Sequence, residues 1–227
     1  MRIALDFFLD GMQKGGVFMW PILACAIFAA GISCERLYYV MFRANLNGAS
    51  FFAQIQKFIL ANNVDRAIKL CHAEPNAALA RALKAALARA NRSESEIQSA
   101  AEETVLEVFP LLARRTGYLS MLANVATLLG LLGTIQGLIQ AFDAVAHASA
   151  ETKAVLLASG ISVAMYTTAT GLLVAIPTLV LSSIIVNQTT KIQDDVDQYT
   201  LKTVNLLLAR RRGTLEKEGG GAADVAT

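Results

Sequence analysis

The stretch YTTATGLLVAIP, residues 166–177, places three threonines and a tyrosine inside a run, residues 154–190, that carries no charged side chain. A membrane-spanning helix needs about 20 predominantly apolar residues. Residues 17–34 and 116–142 are also free of charge. The sequence therefore predicts an all-α membrane protein with three transmembrane helices. It also raises the question of why hydroxyls lie where lipid offers them no hydrogen bond.

The composition supports a membrane protein with a modest polar part. Of the 227 residues, 55% are hydrophobic and 17% are charged, whereas soluble domains carry about a quarter charged residues. The net charge of +2 is too small to indicate a nucleic-acid partner, so we expect none and expect the lipid bilayer as the surrounding partner.

The motif content argues against an enzyme. Cys25, Cys34 and Cys71 show no C-x-x-C or Cys/His spacing, so we expect unbridged packing residues and no metal ligands. A disulfide between Cys25 and Cys34 is excluded if the first span is one helix, because nine residues separate them by about 13 Å. Nucleotide-binding and hydrolase motifs are absent from the sequence. We therefore expect no enzyme activity, no catalytic residues and no cofactor.

The distribution of Lys and Arg predicts the orientation in the membrane. The connector after the first span and the tail after the third span hold most of these residues, whereas residues 143–153 hold one lysine. The end of the first span, GISCER at residues 31–36, offers no A-x-A cleavage site, and the span is interpreted as a retained anchor. The predicted order is an external segment at 1–16, transmembrane helix 1 at 17–40, a cytoplasmic helical region at 41–115, transmembrane helix 2 at 116–142, an external loop at 143–153, transmembrane helix 3 at 154–190, and a cytoplasmic helix with a disordered tail after Gly213 at 191–227.

The cytoplasmic region has the periodicity of amphipathic helices. Apolar residues recur at i, i+3, i+4 and i+7 over residues 64–71, and leucines recur every four residues over residues 79–87. Ser93 and Glu96 form an S-x-x-E capping box that predicts the start of another helix. We expect that helix to continue past Pro110 into the second span.

The second and third spans both carry small and hydroxyl residues. In LLGLLGTIQGLIQAF, residues 128–142, the glycines recur at spacings of three and four and share one face, where small residues allow another helix to approach closely. Thr127 and Thr134 lie two turns apart along nearly the same stripe. A threonine can also bond back to its own helix or join two helices, and both readings stay open for each hydroxyl.

These two stretches together resemble a known signature. LLGLLGTIQGLIQAF and SGISVAMYTTATGLLVAIP, residues 159–177, are similar to the paired motifs of the MotA/TolQ/ExbB proton-channel family, and CERLYYV, residues 34–40, is similar to its ExbB and TolQ branch. The resemblance covers the whole chain in order and departs from the four-span MotA branch. It implies a homopentamer around a central pore in the bacterial inner membrane, with the N-terminus in the periplasm and the C-terminus in the cytoplasm.

The resemblance also implies a partner and a set of site residues. The pore would enclose a smaller single-span protein of the ExbD/TolR type, which carries a membrane aspartate. Thr134 and Thr168 map to the family threonines that face this aspartate, and we also assign Thr127 to the ion pathway. The residues expected to serve helix packing are Gly130, Gly133, Gly137 and Gly171.

One departure from the family pattern bears on function. Many relatives have glutamate after G-I-S, whereas this chain has Val163. The resemblance implies an ion channel or stator subunit, with the proton as the expected ion, that couples proton-motive force to work by its partner in outer-membrane transport, envelope maintenance or gliding-type motility. The alternative is a non-conducting helical scaffold of such a complex, which Val163 favours. The process, the choice of H⁺ or Na⁺, and the partner's identity stay open.

Overall fold

The computed structural model describes residues 16–44 and 46–223, with side chains for residues 16–41 and 46–211. The described residues are helical and contain no β-strand, which confirms the predicted all-α class. The helices are α1 (Met19–Tyr38, continued by a π-helical turn at Tyr39–Ala44), α2 (Gly48–Leu60), α3 (Val64–Ala73), α4 (Ala78–Ala88), α5 (Glu94–Ala113), α6 (Thr116–Ala146) and α7 (Lys153–Ala223).

Three helical stretches are long and apolar enough to cross a membrane. They are Met19–Met41, Glu94–Ala146 and Lys153–Arg211, and they confirm the prediction of three candidate spans. The predicted domain boundaries and the sidedness of the termini stay predictions. The external segment predicted at 1–16 lies outside the described residues except for Gly16.

The chain forms two compact units. The first falls within Met1–Leu37 and Arg115–Ile185, and contains α1, α6 and the first part of α7. Its interior is apolar, with Ile22 and Leu119 fully buried. Large apolar side chains such as Phe28 and Ile139 are 64% and 59% exposed. Exposed apolar surface of this kind is what a helix presents to lipid or to another helix.

The second unit falls within Tyr38–Arg114 and Val186–Thr227, and contains α2 to α5 and the remainder of α7. Helices α2 to α5 pack in sequence order, each against the next. Leu79, Leu83 and Leu87 are all buried on one face of α4, as the four-residue spacing predicts. In α3 the buried positions are Ala67 and Cys71, two of the four apolar positions of the predicted stripe.

The predicted capping box is confirmed at the start of α5. The Ser93 Oγ accepts the N–H of Glu96, and the Glu96 carboxylate accepts the N–H of Ser93 at 3.0 Å and its hydroxyl at 2.7 Å. The Ser93 hydroxyl and then its backbone N–H lower the pKa of Glu96, because both bonds favour the ionised carboxylate.

The expectation that one helix runs from α5 into the second span is wrong. Helix α5 does continue past Pro110, but it ends at Ala113, and α6 begins at Thr116. Arg115 between them has a φ of +64°, a left-handed conformation that interrupts a right-handed helix. The Arg115 guanidinium lies 2.7 Å from the Glu35 carboxylate, and a contact so distant in sequence leaves no local signal.

The end of the chain also differs from expectation. A disordered tail was predicted after Gly213, whereas α7 extends through Ala223. A residue added to an existing helix gains one hydrogen bond without a new nucleation cost, and TLEKE at 214–218 contains good helix formers. Residues 224–227 lie outside the described part of the chain. The cysteines agree with expectation, since Cys25, Cys34 and Cys71 are all free.

Candidate functional site

The two long spans, α6 and α7, approach each other along a row of small residues, which we call the seam. A Cβ atom on Gly130 would lie 3.2 Å from the Thr167 carbonyl oxygen and 3.4 Å from the Cα of Gly171. A Cβ atom on Gly171 would lie 2.8 Å from the Ala126 carbonyl oxygen. These backbones are close enough that only a hydrogen atom fits between them, which gives the predicted packing role of both glycines a steric basis.

The seam continues from Gly133 towards the loop between the two helices. A Cβ atom on Gly133 would lie 2.7 Å from both Cβ and Oγ1 of Thr167, and one on Gly137 would lie 3.1 Å from the Cβ of Ala164. The sequence analysis did not assign Thr167 or Ala164 to this contact. Their spacing from Gly171 by four and seven residues is the small-residue pattern that would have identified them.

The next pair along the seam was also missed. Gly160 is so close to Ala141 that an added Cβ would overlap the alanine methyl group at 2.3 Å. Ala141 lies four residues after Gly137, and Gly160 lies four residues before Ala164. A repeat of small residues at intervals of four, read on both spans, would have extended the predicted packing face by this turn.

Thr134 and Thr168 are brought together at the centre of the seam. Their hydroxyls are hydrogen-bonded to each other across the two helices. The Thr168 Oγ1 donates to the carbonyl oxygen of Gly130 at 3.0 Å, and the Thr134 Oγ1 has the carbonyl oxygens of Gly130 at 3.2 Å and Ala164 at 3.4 Å within reach. Both side chains are half-buried. Each hydroxyl has one proton and several acceptors, so the protons can redistribute without leaving an oxygen unbonded.

The other threonines behave differently. Thr127 is exposed and donates to its own helix, at the Ala123 carbonyl oxygen, over 3.1 Å. Thr167 and Thr170 are buried and each has an acceptor at 2.8 Å within α7, the carbonyls of Ala164 and Tyr166 respectively. The structure therefore joins two of the three predicted pathway residues and leaves Thr127 apart from them.

Val163 lines a cavity of about 390 Å³. The amides of Gln136 and Gln140, one turn apart on α6, line the same cavity together with Gly133 and Gly137. Neither glutamine is among the site residues predicted from the sequence. Two amides supply donors and acceptors but no charge, so this cavity offers neutral hydrogen-bonding groups beside Val163, the position at which the family resemblance implies a glutamate.

The seam carries no carboxylate, and its polar groups are hydroxyls, amides and main-chain carbonyls. Among the described residues, no group of three or more His, Cys, Asp or Glu side chains is arranged to hold a metal ion. A neutral hydroxyl pair can donate a hydrogen bond to a carboxylate and accept one from a carboxylic acid.

The fold and the seam define an α-helical membrane protein whose two longest spans are joined by a glycine-packed contact containing a hydroxyl pair. A family model described as the MotA/TolQ/ExbB proton channel family matches residues 73–198, which include the whole seam. The chain belongs to this family.

Individual relatives agree with this assignment. The biopolymer transport protein exbB1 of Vibrio cholerae is 31% identical over 166 residues, which cover 73% of this chain and 73% of the relative. The putative biopolymer transport protein ExbB-like 3 of Synechocystis sp. is 31% identical over 207 residues, or 83% of this chain and 91% of the relative. A putative biopolymer transport protein ExbB homolog of Methanothermobacter thermautotrophicus is 28% identical over 200 residues, which cover 87% of this chain and 69% of the relative. The predicted resemblance to the ExbB branch is confirmed.

Proposed function

We propose that this protein is a subunit of an inner-membrane proton channel that couples proton-motive force to work done through an ExbD/TolR-like partner. The partner is a single-span protein with an aspartate in its membrane helix. The observation that carries the proposal is the pairing of Thr134 and Thr168 across two membrane-length helices. Membership in a proton channel family agrees with it.

The chemistry of the hydroxyl pair suits a carboxyl group that cycles between two states. An ionised carboxylate inside a membrane is costly unless polar groups or waters solvate it. A hydroxyl donates to the carboxylate and accepts from the protonated acid, whereas a fixed cation would hold the carboxylate in its charged form. The Gly130 carbonyl that both threonines reach also gives their protons an acceptor when the partner's carboxyl group is absent.

Assembly into a homopentamer is part of the proposal. The small residues of the seam already pack against each other within one chain, so neighbouring subunits would meet through other faces of α6 and α7. These helices carry exposed apolar residues suited to lipid or to another subunit: Leu128, Ile135, Ile139, Phe142, Met165 and Ile176. In this arrangement the N-terminus lies in the periplasm and the C-terminus in the cytoplasm, in accord with the distribution of Lys and Arg.

Outer-membrane transport is the first process to test, because the relatives carry the name biopolymer transport protein. Envelope maintenance and gliding-type motility are the other two. A gene next to this one that encodes a single-span protein with a membrane aspartate would identify the partner. We expect the two proteins to co-purify from detergent-solubilised membranes.

Proton flux tests the proposal directly. The co-purified complex is reconstituted in liposomes that contain a pH-sensitive dye, and an inward proton gradient is imposed. We expect flux from the wild-type complex and a loss of at least ten-fold when the partner's membrane aspartate is replaced with asparagine. Equal flux from both complexes would contradict the proposed coupling.

A non-conducting scaffold is the second candidate, and Val163 is the observation that favours it. This chain has no Asp or Glu within residues 17–34, 116–142 or 154–190, so it supplies no titrating carboxyl group of its own inside these segments. A scaffold would co-purify with the same partner and leave the liposomes as tight as protein-free controls. The flux measurement therefore separates the two functions.

A further inference from the structure

A second hydroxyl pair joins α6 and α7 nearer the start of α6. The Ser120 Oγ lies 3.0 Å from the Ser182 Oγ. On each helix the serine is fourteen residues from the threonine of the Thr134–Thr168 pair. Fourteen residues of α-helix advance about 21 Å and return to within about 40° of the same face. The two pairs therefore lie about 21 Å apart along the same contact between α6 and α7.

The serine pair differs from the threonine pair in its supply of acceptors. Each threonine reaches a main-chain carbonyl oxygen, Gly130 for Thr168 and Gly130 or Ala164 for Thr134. Among the described residues, the one hydrogen-bond partner of each serine hydroxyl is the other serine. Two O–H protons then share one hydrogen bond, and one proton of the pair has no acceptor.

A third hydroxyl next to the pair is also unsatisfied. Thr116 lies one turn before Ser120, and residues at i and i+4 are neighbours on a helix surface, about 5–6 Å apart. Its side chain is 6% exposed, and its Oγ1 has no hydrogen-bond partner within the described part of the chain. Ser182 is 3% exposed. Leaving a buried hydroxyl unpaired costs about 1–3 kcal/mol, and a buried water satisfies such groups in folded proteins.

We propose that Thr116, Ser120 and Ser182 bind water and form a hydrated station about 21 Å along the seam from the threonine pair. The water accepts a hydrogen bond from the serine hydroxyl whose proton has no other acceptor, and donates a hydrogen bond to the Thr116 Oγ1. Thr127 lies midway between Ser120 and Thr134 on the same stripe of α6. On the proposed function, which this part of the inference presupposes, protons pass between the threonine pair and the Thr116 end of the span through this station.

The charge next to the station is compatible with cation passage. Arg115 precedes Thr116, and a full positive charge there would oppose a proton. The Arg115 Nη1 donates to both carboxylate oxygens of Glu35, at 2.7 and 3.0 Å. This ion pair offsets the charge of Arg115.

Thiol labelling tests hydration without reference to transport. Ser182→Cys and, as matched control, Thr178→Cys are made in a chain whose native cysteines are replaced with alanine. Thr178 is one turn away on α7, is also buried at 6% exposed, and donates to the Val174 carbonyl of its own helix at 2.7 Å. With a membrane-impermeant methanethiosulfonate reagent, we expect the cysteine at 182 to react at least ten-fold faster than the one at 178. Equal, slow labelling would overturn the water site.

A second cysteine variant tests the water site if the Ser182→Cys chain fails to assemble. If the Ser182→Cys chain does not assemble, Ser120→Cys probes the same station from α6, where the side chain is half-buried. Slow labelling at Ser120→Cys, at the rate of Thr178→Cys, would overturn the water site equally.

Proton flux tests the route. In the reconstituted complex we expect the Ser120→Ala/Ser182→Ala double variant to lose at least five-fold of the flux, and Thr178→Val to keep it. Full flux in the double variant, with loss in Thr134→Val, would overturn the route while leaving the proposed channel function intact. Absence of flux in the wild type, with fast labelling at residue 182, would remove the channel function and leave the water site standing.

Discussion

Thr134 and Thr168 lie on different helices and reach the same acceptor, the carbonyl oxygen of Gly130, while their hydroxyls bond to each other. The glycine makes this possible, because a Cβ atom there would lie 3.3 Å from the Cα of Thr168. Helix packing and the placing of the polar pair are therefore one feature of the seam. A change that separates the helices at Gly130 is expected to separate the hydroxyls from their acceptor as well.

The first prediction concerns Gly133, which faces the side chain of Thr167. Gly133→Ala places a methyl group 2.7 Å from the Thr167 side chain, and overpacking of this kind costs typically about 1–3 kcal/mol. We expect a lower thermal midpoint for loss of helix in detergent, measured by circular dichroism. Gly117→Ala is the control, because Gly117 is on the same helix and has nothing within 4 Å of an added Cβ. Equal midpoints for the two variants would show that the seam is looser than described.

The second prediction concerns Cys71. Burial raises the pKa of its thiol to about 12, so the native thiol stays protonated at pH 8–9 and reacts slowly with iodoacetamide. We expect labelling to accelerate by more than ten-fold when the protein is unfolded in urea. Rapid labelling of the native protein at Cys71 would show that α3 is not packed as described.

The same pKa shift sets a direction for stability against pH. Between the ordinary thiol pKa of 9.0 and the folded value of about 12, the unfolded chain loses a proton that the folded chain keeps. The contribution of Cys71 to stability is therefore fully present below pH 9 and falls as the pH rises towards 12. We expect the thermal midpoint to fall between pH 8 and pH 10.5 in both proteins, and to fall less in Cys71→Ala than in the wild type. A parallel loss in both proteins would contradict this.

The fourth prediction concerns the cap of α5. Ser93→Ala removes an N-cap hydroxyl, which typically costs about 1 kcal/mol, and it also returns the pKa of Glu96 towards its ordinary value. Because that pKa is lowered in the folded state, the stabilisation is present above pH 4.5 and is lost as the pH falls. The thermal midpoints of the wild type and Ser93→Ala are thus expected to differ more at pH 7 than at pH 3.5. The exposed Ser99 on the same helix provides the control variant, Ser99→Ala, which is expected to melt like the wild type at both pH values.

The fold was predictable because its signals are local. Uncharged runs of membrane length identified the three spans, and the S-x-x-E motif located the start of α5 at Ser93. The leucine spacing in α4 identified its buried face. Each of these depends on residues within a few turns of one another, so periodicity and capping chemistry were sufficient.

The parts that escaped prediction depend on contacts between distant segments. The break at Arg115 accompanies an ion pair with Glu35, and the Ser120–Ser182 bond joins residues 62 positions apart. The sequence marks Thr134 and Thr168 as polar residues in apolar runs, but it does not give the antiparallel register that sets them against each other. That register follows from the packing of Gly130 and Gly133 against α7.

The proposed channel function requires the Thr134 and Thr168 hydroxyls to serve the ion pathway. Thr134→Val and Thr168→Val keep the shape of the side chain and remove the hydroxyl, a loss of about 1–3 kcal/mol for a buried polar partner. On the proposed function, loss of that donor shifts the partner's aspartate towards its protonated form and slows the cycle. Thr170→Val is the matched control, because Thr170 is buried on α7 and donates only to its own helix, at the Tyr166 carbonyl.

The measurement is proton flux through the co-purified complex in liposomes, after size-exclusion chromatography has shown that each variant assembles with its partner. We expect at least a ten-fold loss of flux in Thr134→Val and in Thr168→Val, and near-wild-type flux in Thr170→Val. Full flux in both Thr134→Val and Thr168→Val would contradict this expectation and would leave these hydroxyls as contacts that hold two helices together.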